Sequence, residues 1–157
     1  MIVHKFGGTS LATVDRLKSV AEIISNNAKS NRIAVVLSAM GNTTDTLIDI
    51  INTAILSQDW QSKLDKLENH HKKTLIDLNC ACRIDAQKQL NTINYLFQEA
   101  HAKLKGVSLL QQCPDNIYSW LITLGEQLVV SIMYTQLISK GISVEIINAR
   151  ESIVTSD

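Results

Sequence analysis

Apolar positions along the chain recur with two periods, and these divide it into strands and helices. Ile2 to Phe6 reads as a short buried strand. From Leu11 to about Ala28, Leu11, Val14, Leu17, Val20, Ala21 and Ile24 recur at helical spacing, with Asp15, Arg16, Lys18 and Glu22 on the other faces. Ile33-Ala34-Val35-Val36-Leu37 is a continuous apolar run, rich in β-branched residues and too short for an ordinary helix. Such a run suits a strand covered on both faces, as in a parallel sheet. Strand, helix, strand in this order implies a βαβ unit of the usual right hand.

The rest of the chain is mostly helical in pattern. Thr46 to about Leu56 places Leu47, Ile50, Ile51 and Ala54 on one face. Trp60 to Leu78 carries Leu64, Leu67, His71, Leu75 and Leu78, and Asp85 to about Leu104 carries Leu90, Ile93, Leu96, Phe97 and Ala100. Together these predict an antiparallel helical hairpin with Asn79 to Arg83 as its turn. Pro114-Asp115 opens a further helix, expected to run unbroken from Asn116 to Lys140 and to stop at Gly141. Ile142 to Ile147 then reads as a third parallel strand, and Ser152 to Thr155 as another short one. The expectation is an α/β fold, with three neighbouring parallel strands and helices on both faces.

Composition narrows the class without naming a function. The 157 residues are the size of one domain, and 45% apolar content is ordinary for a globular core. Fifteen basic residues balance fifteen acidic ones, so nothing pulls the chain as a whole toward nucleic acid or an anionic membrane. Aromatics at 4% are too sparse for base-stacking platforms. The three cysteines, Cys80, Cys82 and Cys113, fit no zinc spacing, and free thiols in a reducing compartment are the simplest reading. No signal pattern opens the chain and no apolar run is read as membrane-spanning, so the cytoplasm is expected.

Candidate chemistry sits in the loops after the strands, where ligands of parallel sheets bind. Lys5-Phe6-Gly7-Gly8-Thr9-Ser10 ends the first strand. Adjacent glycines permit positive φ and close approach of a ligand. Backbone N–H groups at the turn and helix start make an anion site, with Lys5 as a charge and Thr9 and Ser10 as hydroxyl donors. The plain alternative is a strand-to-helix turn capped by Ser10. Neither the Walker spacing nor Gly-x-Gly-x-x-Gly is present. The second strand leads into Ser38-Ala39-Met40-Gly41-Asn42-Thr43-Thr44, expected to lie beside the first loop. Its hydroxyls suit a carboxylate or phosphate, or else Thr43 or Thr44 merely caps a helix. Gly125 inside a helix costs about 1 kcal/mol relative to alanine, which a close backbone or ligand approach would explain. Glu126 beside it could anchor an amine, or be an ordinary exposed glutamate. Glu68-Asn69-His70-His71-Lys72-Lys73 reads as a solvated helix face, because adjacent helical residues do not face one another.

Four of these stretches, in this order, resemble the aspartate kinases, members of the amino-acid kinase family. Lys5 to Ser10 is similar to that family's first phosphate loop, and Val35 to Ala39 with Thr44 to its second strand and substrate loop. Thr123-Leu124-Gly125-Glu126 resembles its Ser-x-Gly-Glu motif, with threonine for serine. Ile147 to Arg150 and Thr155 to Asp157 resemble a later strand end, with Asn148 where an acidic residue is usual. The resemblance implies a three-layer α/β/α fold with a mainly parallel sheet. Residues 1–157 would be the N-terminal part of a kinase domain with a helical insertion over about 57–113, the nucleotide-binding half and the regulatory domains being absent.

The implied activity is phosphorylation of the side-chain carboxylate of L-aspartate by ATP and Mg²⁺, giving 4-phospho-L-aspartate, the first step of aspartate-family amino-acid biosynthesis. A carboxylate of pKa about 4 is already ionised at neutral pH, so catalysis reduces to positioning and charge neutralisation. By the resemblance Lys5 is the catalytic cation. Lys5, Gly7, Gly8, Thr9 and Ser10 hold the ATP phosphates, and Ser38, Thr44 and Glu126 hold aspartate, with no metal ligand assigned. The chain alone is expected to show little activity and to self-associate through an uncovered sheet edge. The alternatives are a kinase for glutamate or carbamate, and a non-catalytic remnant that binds a small anion or a partner.

Overall fold

A computed structural model describes residues 1–78 and 83–149. Cys80, Cys82, most of the hairpin turn, Arg150, the Ser152 to Thr155 strand and the Thr155 to Asp157 anchor lie outside the described residues. The order is β1 (Ile2–Phe6), a 3-10 turn (Gly8–Leu11), α1 (Val14–Ala28), β2 (Ile33–Leu37), α2 (Thr43–Ile55), α3 (Gln61–Asp77), α4 (Arg83–Leu110), α5 (Asp115–Ile122) and α6 (Leu124–Ser139).

The strand–helix–strand pattern folds as the periodicity requires. β1 and β2 pair in parallel, with Ile2 opposite Ile33 and Phe6 opposite Leu37. Alternation turns Phe6, Ile33, Val35 and Leu37 toward the core. α1 and α6 pack on each other and on β2. The opposite face of the sheet is open, with Val3 61% and Val36 49% exposed and Lys5 between them in the pleat. The chain is thus α/β with a small parallel sheet. Among the described residues, the second outer helical layer is not formed.

The third strand is corrected. Residues 142–148 form no ladder with β1 or β2. Ile142 and Val144 pack against the core, but Ile146 and Ile147 are 45% and 74% exposed. The Ile142 N–H is taken by the Leu137 carbonyl at the end of α6, at 3.2 Å. Period-two alternation is therefore kept at Ile142 and Val144 and lost at Ile146, without strand pairing.

Helix starts also moved. Gly8–Leu11 is a separate turn that buries Leu11, and Thr13, not Ser10, caps α1 by accepting from Arg16 N–H at 3.3 Å. α2 begins at Thr43, where the Thr43 hydroxyl donates to the Met40 carbonyl at 2.6 Å. The periodicity signalled only Thr46 onward because the first turn of α2, Thr43-Thr44-Asp45, is polar in sequence.

α3 and α4 form the helical hairpin. Trp60 meets His101 in a tilted pair with centroids 5.0 Å apart, and His71 meets Phe97 at 6.2 Å, so the two helices run antiparallel. The hairpin packs on α2 and α6. Leu47, Ile50, Leu64, Ile93, Leu104 and Leu128 form the centre of one continuous core. The long final helix is broken at Thr123. There its hydroxyl donates to the Ser119 carbonyl at 2.8 Å, and α5 ends and α6 begins on either side. Contrary to the sequence reading, Asp115–Ser139 is apolar and long enough, at 25 residues, to cross a membrane by length and composition. Its most apolar window is 61% buried, and Leu121, Leu124, Leu128 and Ile132 belong to the core.

Candidate active site at the strand ends

Three backbone segments converge where β1 and β2 end. Ser38 N–H donates to the Phe6 carbonyl at 3.1 Å, and Gly41 N–H donates to the Gly8 carbonyl at 3.1 Å. The two loops therefore lie side by side, as the parallel pairing predicts. A Cβ built on Gly8 would lie 2.8 Å from the Ala39 carbonyl oxygen, a clash with backbone that only glycine avoids. Positive φ is not the reason for either glycine of the pair. Gly7 is extended at φ −82°, and Gly8 is not among the positive-φ residues. At Gly7 an added Cβ would meet open space, leaving room for a ligand to approach.

The third segment is the start of α6. Gly125 is its second residue rather than mid-helix. A Cβ there would lie 2.6 Å from Ala39 Cβ and 3.0 Å from Thr43 Cγ2. Close backbone approach thus explains this glycine, and it draws the positive end of α6 onto the second loop. Glu126 follows directly. It is half-buried, and its Oε2 is buried with no hydrogen-bond partner. The exposed-glutamate alternative does not hold: this oxygen is buried, and a buried carboxylate oxygen is costly without a donor.

The remaining predicted residues surround this convergence. Lys5 is exposed on the open face of the sheet, opposite in the pleat to half-buried His4, which stacks on Phe6 at 6.2 Å. Thr9 and Ser10 are exposed on the 3-10 turn, and the Ser10 N–H closes that turn on the Gly7 carbonyl at 2.9 Å. Ser38 and Thr44 are half-buried at the end of β2 and in the first turn of α2. A groove of about 560 Å³ beside the second loop is lined by Met40, Thr43, Thr46, Lys66 and His70 among others, and by none of the predicted site residues. Among the described residues no group of three or more His, Cys, Asp or Glu could hold a metal.

The free-thiol reading of Cys113 holds, and the solvated-face reading of Glu68 to Lys73 holds in part. Burial, with the Asp115 carboxylate nearby, pushes the Cys113 thiol up, away from the reactive thiolate. His70 and Lys73 are exposed on α3. His71, however, is buried, with Nδ1 2.8 Å from the Leu67 carbonyl, and burial pulls its pKa down to about 4. Sequence reasoning missed Ala39, the point at which Gly8 and Gly125 both make contact, and Arg16, whose Nη1 donates to the Thr9 carbonyl at 2.5 Å. The signal for Ala39 was its small size between two glycine motifs.

A glycine loop after a first parallel strand, a second loop hydrogen-bonded beside it and a helix start packed on the second define an α/β domain with its candidate site at the strand ends. The chain belongs to the amino acid kinase family, whose model matches residues 1–156. It is 37% identical, over 155 residues, to the bifunctional aspartokinase/homoserine dehydrogenase of Buchnera aphidicola subsp. Acyrthosiphon pisum, covering 98% of this chain and 19% of that protein. It is 29% identical, over 160 residues, to the chloroplastic aspartokinase 1 of Arabidopsis thaliana, covering 99% of this chain and 26% of that one. The fold matches E. coli aspartokinase III in complex with aspartate and ADP, with a TM-score of 0.78 at 23% identity, over 96% of this chain and 31% of that one. The chain spans about a fifth to a quarter of the length of these two curated relatives.

Proposed function

We propose that this chain forms the N-terminal part of an aspartate kinase domain and supplies the phosphate loop and one wall of the aspartate site. The observation that supports this best is the unpartnered Oε2 of Glu126, buried at the start of α6 beside the second loop. An α-ammonium group would satisfy it, with Ser38 and Thr44 offering hydroxyls to the same substrate. The aspartokinase relatives make L-aspartate the favoured carboxylate over glutamate or carbamate.

The second substrate is Mg-ATP, and the metal arrives with it. The N–H groups of Gly8 and Thr9 open the 3-10 turn and have no acceptor within it, so they are available to phosphate oxygens. Gly7 leaves the approach clear, Ser10 adds a hydroxyl, and Lys5 neutralises charge on the transferring group. A carboxylate oxygen of aspartate bonds to the γ-phosphorus, the bond from that phosphorus to the β–γ bridging oxygen breaks, and ADP leaves with the electron pair. No proton moves, so no general base is needed. Residues from about 57 to 113 are the helical insertion of this domain, and the cytoplasm is its compartment. Alone, the chain self-associates through the open side of its sheet and turns over little.

The test is aspartate-dependent ADP release by a hybrid in which these residues replace the matching segment of the Buchnera relative. Turnover with L-aspartate and not with L-glutamate is the expected result. A folded hybrid that stays at background with aspartate overturns the proposal.

A further inference from the structure

Arg16 belongs to none of the motifs, yet it completes a pattern in the first loop. The Gly7 carbonyl accepts from Ser10 N–H at 2.9 Å, and the Gly8 carbonyl accepts from Gly41 N–H at 3.1 Å. The Thr9 carbonyl accepts from Arg16 Nη1 at 2.5 Å. Three successive carbonyls of the loop are thus each held by a donor, and the Arg16 bond is the one of the three made by a side chain. A trans peptide points its C=O and N–H to opposite sides. Holding the carbonyls therefore fixes where the following N–H groups point. A carbonyl released from its donor could turn its negative end toward the position of an anion.

We propose that Arg16 is a positioning residue for the anion loop: it pins the Thr9–Ser10 peptide so that the negative end of the Thr9 carbonyl stays turned away from the terminal phosphates of a nucleoside triphosphate held by the loop. The proposal rests on reading this loop as the phosphate site. Arg16 is exposed in the first turn of α1, so its removal leaves the core untouched. It acts through the Thr9 carbonyl and not through its charge.

The experiment titrates the whole chain with Mg-ATP into the millimolar range and follows the Gly8 and Thr9 amides by NMR. The wild type is compared with Arg16→Ala and with Arg16→Gln, which keeps an N–H donor and loses the charge. Arg16→Ala should bind about tenfold more weakly, the scale of one charge-assisted hydrogen bond. Its Thr9 and Ser10 amides should exchange with solvent faster, at an unchanged thermal midpoint. Arg16→Gln should recover part of the loss, and the ratio of affinities should be the same at low and high salt. Wild-type affinity and exchange in Arg16→Ala overturn the proposal. So does a loss that fades at high salt and is equal in Arg16→Gln, which would make Arg16 a direct charge contact. A folded wild type whose Gly8 and Thr9 amides ignore Mg-ATP removes the phosphate-loop reading, and the proposal with it.

Discussion

At the strand ends, three backbone segments meet with almost no side chain between them, whereas α3 and α4 meet through Trp60, His71, Phe97 and His101. The first region is held by sterics, with Gly8 and Gly125 both against Ala39. Its backbone polar atoms are partly paired between the loops, and Glu126 Oε2 is buried without a partner. The second is held by buried area, although His71 Nε2 and Asn94 Oδ1 are also buried there without a partner. A site needs open N–H groups and an unpartnered carboxylate, and both weaken the fold where they stand. The hairpin has no such duty and can contribute stability through burial. Variants in the first region should therefore change chemistry more than stability, and variants in the second the reverse.

The largest expected effect lies at the strand ends. In the active hybrid, Lys5→Met should lower turnover about a hundredfold or more, the usual cost of one preorganised electrostatic contact. Lys5 is exposed, so urea denaturation should give an unchanged midpoint. Near-normal turnover would break the comparison on its functional side.

His71 gives the next effect, on stability alone. Its pKa in the fold is about 4 against an ordinary 6.5, because burial disfavours the charged ring. As pH falls through 6.5, the unfolded chain takes up a proton that the folded chain refuses. Stability is full above that point, falls toward pH 4 by up to about 3 kcal/mol, and is then level. Urea midpoints measured across this range should show the slope, and His71→Leu should flatten it. A wild-type profile as flat as that of His71→Leu would mean that the ring is not closed off in solution.

Gly125→Ala sharpens the comparison because it touches both sides. The new Cβ cannot fit 2.6 Å from Ala39 Cβ, so α6 must shift, at a cost of about 1–3 kcal/mol. Combining it with Ala39→Gly should restore much of the loss in a double-mutant cycle. Simple additivity of the two would show that the contact is not the cause. The smallest effect belongs to the hairpin surface. Lys72 pairs with Glu68 at 2.5 Å one turn away on α3. Lys72→Ala should change stability by under about 0.5 kcal/mol, and a larger change in thermal melts would put this pair in the packed part of the hairpin.

The legible parts of the fold were those with a strong period. β1, β2, α1 and the α3–α4 hairpin all follow apolar spacing that local sequence contains. The third strand was misread because Ile142 to Ile147 has the right residues, while pairing depends on a neighbour that no local pattern reveals. The break at Thr123 was hidden for a similar reason, since a hydroxyl bonding to Ser119 leaves the apolar spacing intact. In the site, Gly8 could be picked out because adjacent glycines after a strand permit close approach, and Gly125 because glycine inside a helix is costly. Ala39 and Arg16 could not, because their roles lie in contacts with other segments.

The packing of α1 on α6 also sets a timetable. Glu22 on α1 bonds to Lys140, which follows α6, across a separation of 118 residues. A ribosome adds about 5–20 residues per second, so during synthesis α1 exists for about 6–24 seconds before that partner has been made. Through that interval Leu17, Val20 and Ile24, all buried in the finished fold, lack one of the surfaces that covers them. The first strand–helix–strand unit of the chain is therefore the earliest to be made and among the last to be enclosed.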